Sequence, residues 1–99
     1  MKKFAYILMG ASFDPDKHTA EFDIGSMKIY IYTVRSVAEA KEKMVGLWHE
    51  GFGAIELCGA FGRSLAAEFT LLTQNKVAIG YVTHEPEQDE LFARFFGKK

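Results

Sequence analysis

The sequence is poor in the features that name a function outright. It holds a single cysteine, Cys58, so no internal disulfide can form, and this fits a reducing compartment. It has two prolines and neither an internal repeat nor a low-complexity stretch, so nothing in it reads as a linker between domains. Charge of one sign is also lacking: 12 Lys and Arg face 13 Asp and Glu, for a formal net charge of −1. With no basic patch along the chain, nucleic acid is excluded as an expected partner. No apolar run approaches the ~18 residues that span a bilayer, so no membrane partner is expected either. The opening Met1-Lys2-Lys3 and the apolar residues after it resemble a signal peptide only superficially. The run is short and leads into a polar loop without a small-residue cleavage site, so it reads as a first core strand. Together these absences predict a soluble cytoplasmic protein.

Metal-ligand spacing is missing as well. Asp14, Asp16 and His18 share the first loop, and His49 and His84 lie elsewhere, but no second motif completes a set of three or four ligands. Neither a metal nor a cofactor is expected.

What the chain does have is apolar and aromatic content. Its 99 residues suffice for one domain, 1–99, and 48% of them are hydrophobic. Aromatic residues make up 14%, nine of them Phe, enough to fill a core and leave rings over for a subunit contact.

The pattern along the chain alternates strand and helix. Residues 3–9 form a strand-length apolar run ended by Gly10. Residues 20–24 and 27–34 read as a hairpin joined at Gly25-Ser26, a type II′ turn signal. Ser36 and Glu39 form a capping box before a helix over 37–50, with Gly51 as its left-handed stop. A strand follows at 54–58, a helix at about 62–73 closed by Asn75, and a strand at 77–83. Pro86 suits the first position of a last helix, whose apolar face is Leu91, Phe92, Phe95 and Phe96 and whose stop is Gly97. This order predicts an α/β fold: a mostly parallel sheet of about four strands with βαβ crossovers, Rossmann-like or flavodoxin-like, an extra hairpin strand and three helices. The surplus aromatics Trp48, Phe92, Phe95 and Phe96 favour a homodimer.

In such sheets ligands bind beyond the carboxyl ends of the strands, and the chemically interesting residues fall there. The turn Gly59-Ala60-Phe61-Gly62-Arg63-Ser64 joins a strand to a helix N-terminus. Its glycines allow close backbone approach, and the helix N–H groups with Arg63 suit a phosphate or carboxylate. The pattern is neither a dinucleotide fingerprint nor a Walker loop, so it also reads as a plain tight connection. Arg35 ends another strand on the same rim. The candidate ligand-binding residues are therefore Arg35, Gly59, Gly62, Arg63 and Ser64, and the expected ligand is a small anionic metabolite.

Three further residues are candidates for acid, base or nucleophile. Glu56 stands inside a strand, on the face opposite Ile55 and Leu57, where a covering helix would demand a partner for it. That carboxylate is explained by an open face or subunit interface, by a pair with Lys28, Arg35 or Arg63, or by function. Cys58 and His84 are predicted at strand ends, where an imidazole near a thiol would make a nucleophile, although a free cysteine is more often buried and inert. A small enzyme using Glu56 or His84 as acid/base, with Cys58 as nucleophile, is thus the alternative to a binding domain.

The stretches GAIELCGAFG and NKVAIGYVTHEPEQDELFARFF, with the opening FAYILMG, resemble a family of bacterial proteins of about a hundred residues known as a domain of unknown function. The resemblance runs over nearly the whole chain. It implies a small stand-alone domain and carries no activity, substrate or site residue with it.

Overall fold

The computed structural model describes residues 1–97. Five strands form one sheet: β1 (Lys2–Met9), β2 (Ala20–Asp23), β3 (Met27–Val34), β4 (Ala54–Leu57) and β5 (Ala78–Tyr81). The helices are α1 (Val37–His49), α2 (Gly62–Leu72) and α3 (Asp89–Phe96). The spatial order is β2-β3-β1-β4-β5. β1 lies parallel between β3 and β4, β5 is parallel to β4, and β2 runs antiparallel along β3. The expected mostly parallel α/β sheet with an added hairpin strand is present.

Local chemistry sets the boundaries. The hairpin closes at Gly25 with φ +89°, where Ile24 N–H donates to Met27 O. α1 begins at Ser36, whose hydroxyl accepts from Glu39 N–H at 3.2 Å. The return arm of the capping box differs from expectation. The Glu39 carboxylate accepts from the N–H of Arg35 at 2.7 Å rather than from that of Ser36, and it binds the Arg35 guanidinium as well. Gly51, at φ +91°, ends α1, and both Gln74 and Asn75 adopt the left-handed conformation after α2. Pro86 opens a short 3-10 turn, Pro86–Gln88, and α3 follows directly.

The core lies on one side of the sheet only. Register places Ala5, Tyr30, Ile55 and Ile79 in one row on one face. This face carries the buried Ala5, Ile7, Val34, Ile55 and Leu57, against Ala40, Met44 and Leu47 of α1 and Ala66 and Phe69 of α2. Trp48, a candidate for a surplus ring, packs against this core. The opposite face carries Phe4, Tyr6, Leu8, Ile29 and Ile31, and none of the buried hydrophobic residues.

Topology explains the asymmetry. The parallel strands, numbered in chain order, lie 2-1-3-4, which matches the first four strands of the flavodoxin-like order. Right-handed crossovers in one direction place their helices on one face. The steps β3 to β4 and β4 to β5 run in one direction, and α1 and α2 cover one face together. The step β1 to β3 runs the other way and would supply a helix to the second face. Here it carries a loop and β2 instead, so no crossover helix covers the second face; the loop reaches only the carboxyl end of β3, where the buried Thr33 donates to His18 O at 2.8 Å. Among the described residues no strand follows α3, and Leu91, Phe92, Phe95 and Phe96 are all exposed.

Candidate functional site

The carboxyl ends of β1 and β4 meet where the sheet changes direction, the position at which open α/β sheets leave a crevice. Pairing between them continues one residue past β4, with Cys58 N–H donating to Ile7 O at 3.0 Å. The Cys58 sulfur in turn accepts from Met9 N–H at 3.4 Å, so the thiol ties the two strand ends together. Beyond it, Phe61 N–H donates to Cys58 O and closes the turn. The Phe61 ring is buried, edge-on to Phe69, which anchors the turn to the core.

Gly62 takes φ +78°, a conformation that suits glycine, and α2 starts there. No side chain caps this helix, and no acidic residue stands in its first turn. The first N–H groups of a helix lack partners within it and carry the positive end of its dipole. Gly59, Ala60, Arg63 and Ser64 are all near or at the surface around them. These four, with Gly62, make one continuous turn at the carboxyl ends of β1 and β4.

Arg35 is engaged elsewhere. Its guanidinium binds the Glu39 carboxylate, with Nη2 to Oε2 at 2.6 Å. Hydrogen bonds from the guanidinium and from the Arg35 N–H hold the Glu39 carboxyl below the usual carboxylate range, and the bond to Glu39 raises Arg35. Asp14 and Asp16 of the loop after β1 add negative charge beside it.

Glu56 points to the open face, in register with Tyr6 on one side and Gly80 on the other. It is exposed, which accounts for a carboxylate in a core strand: no helix covers it. Among the described residues it makes no ion pair with Lys28, Arg35 or Arg63; Lys28 lies 3.9 Å from Glu21 instead. The Glu56 carboxylate lies over Gly80, so a Cβ at Gly80 would come within 2.5 Å of its Oε1. Tyr6 shares the patch. Its phenol is pushed above its ordinary pKa, first by burial and then by the neighbouring Cys58 and Glu56.

The sequence reading missed Tyr6 and Gly80 as members of this group. The period-two pattern of β1 was the available signal, since Tyr6 falls on the same face as Glu56 once β1 and β4 are paired. His84 belongs to a different contact. Its Nε2 is 2.7 Å from Asp89 Oδ1, and its ring stacks on Phe92 at 4.1 Å. Among the described residues no hydrogen bond links it to Cys58 or Glu56, and no cluster of three His, Cys, Asp or Glu side chains is arranged to hold a metal ion.

A family model described as a family of unknown function (DUF6506) matches residues 2–97. The chain belongs to the DUF6506 family. The match takes in every strand and helix, the turn at Gly59–Ser64 and the open face alike. No curated protein and no solved structure matches the chain. Membership in DUF6506 therefore brings a shared chain and no chemistry. Among the described residues no helix is long and apolar enough to cross a membrane.

Proposed function

We propose that this DUF6506 chain is a cytoplasmic, homodimeric binding domain for a small anionic metabolite. Its site is the turn Gly59, Gly62, Arg63 and Ser64 at the crevice between β1 and β4. The observation that carries this reading is the uncapped start of α2 at the switch point of the sheet. A phosphate or carboxylate there accepts from the first N–H groups of α2 and pairs with Arg63. Arg35 joins the site by exchanging Glu39 for the ligand.

Thermal unfolding in inorganic phosphate and in phosphorylated metabolites tests the reading. Bound ligand adds RT ln(1 + [L]/Kd) to stability, about 2.7 kcal/mol at a hundred times Kd. The wild-type melting temperature is expected to rise with ligand and that of Arg63→Gln to rise less. No response to any anion, or an equal response in both proteins, overturns the proposal.

A second reading rests on Tyr6 and Glu56 on the open face, with Cys58 close enough to Tyr6 to raise its phenol. Here Glu56 acts as acid or base and Cys58 as nucleophile, with His84 contributing only after leaving Asp89. Under this reading Cys58 reacts with iodoacetamide near neutral pH, and Glu56→Gln slows the reaction. A Cys58 that resists alkylation in the folded protein removes it.

A further inference from the structure

The molecule carries two apolar surfaces: the sheet face that α1 and α2 leave uncovered, and one stripe of α3. One is the open sheet face, centred on Phe4, Leu8, Ile29 and Ile31, with Phe22 of β2 beside them at 52% exposed. The other is α3. Its Leu91, Phe92, Phe95 and Phe96 lie along one stripe, and Phe95 and Phe96 are 82% and 65% exposed. Among the described residues its main packing within the chain is against the 3-10 turn before it, with Phe92 stacked on His84.

The size of the exposed surface argues for an occupant. An 11.1 kDa chain exposes 6754 Å², whereas a folded monomer of that mass exposes about 5,700 Å². The excess, roughly 1,000 Å², is close to the ~800 Å² that each partner contributes to a standard protein interface. The radius of gyration, 14.0 Å, likewise exceeds the ~12.6 Å of a compact chain of this length.

We infer that two copies exchange their C-terminal helices, each α3 lying on the open sheet face of the other. This rests on the homodimer reading above and specifies its contact. The helix supplies part of the layer that the β1-to-β3 connection omits, on a face that parallel sheets normally have covered. A helix of eight residues is ~12 Å long, so it covers roughly half the length of the eight-residue strands β1 and β3, which run ~26 Å, while leaving Glu56 at its margin. Stacking the two open faces directly would instead bury Glu56 of both copies.

Complementation of full-length variants, read by light scattering coupled to gel filtration, tests the exchange. Wild type is expected as a dimer. Phe95→Asp disables the helix and Phe22→Asp the face, and each is expected to weaken the dimer by about 100-fold or more. Unchanged circular dichroism verifies that each variant folds. An equimolar mixture regains a dimer, because one intact helix then meets one intact face. In a Cys58→Ser background, Phe95→Cys and Phe22→Cys chains cross-link through a bismaleimide when mixed, and neither does so alone. A wild-type monomer at high concentration overturns both the dimer and the exchange. A dimer that survives Phe95→Asp, or mixed cysteine chains that fail to cross-link, overturns the exchange and leaves the dimer standing.

Discussion

Glu56 and Gly80 show how closely a single position depends on its neighbour across two strands. The carboxylate occupies space that any side chain at Gly80 would take. The clash falls on the mobile end of a side chain, and Gly80 has no left-handed backbone to preserve. Gly80→Ala is therefore expected to swing Glu56 aside and to leave stability unchanged or raise it by about 0.4–1 kcal/mol through the unfolded state. Denaturant unfolding measures this, and a loss above ~1 kcal/mol would show that the carboxylate is fixed. Glu39 makes a prediction of opposite character. Its carboxyl is held below the ordinary range by Arg35, so the contribution of this pair is complete above that range. It is lost as pH falls through the lowered value. Glu39→Gln removes this part of the acid dependence, visible when the unfolding midpoints of the two proteins converge toward low pH.

At the scale of elements, the α1 start is a local device with a local cost. Ser36→Ala removes the acceptor for Glu39 N–H and is expected to cost about 1 kcal/mol, measured by urea unfolding. The sequence showed this helix, its serine cap and its glycine stop because each is written within a few residues. It also showed the Gly25-Ser26 hairpin and the glycine at the head of α2, where a backbone conformation demanded a residue type. The partner of Glu39 was less visible, because Ser36 and Arg35 N–H groups are adjacent in the chain and differ only in geometry. Tyr6 as the neighbour of Glu56, and Asp89 as the partner of His84, depended on strand register and on the direction of α3. Neither is encoded by spacing alone. The open face was legible as one explanation of Glu56, and the missing crossover helix made it so.

The whole molecule is a sheet with one covered face, and its stability rests on that side. Phe69 is fully buried between α2 and the sheet, in edge contact with Phe61. Phe69→Ala is expected to cost about 3–5 kcal/mol, enough to lower the melting temperature by roughly 15 °C or more in a domain of this size. The same substitution loosens the turn that Phe61 anchors, so ligand binding should weaken with it. By contrast, substitutions on the open face should leave the isolated chain folded and change its association. The functional proposal rests on the crevice at the strand ends, and an NMR titration with inorganic phosphate reaches it most directly. If the α2 start holds an anion, amide shifts move at Gly59–Leu65 and saturate, and Arg63→Gln weakens the effect. Shifts scattered over surface lysines, or none at the turn, would contradict the account.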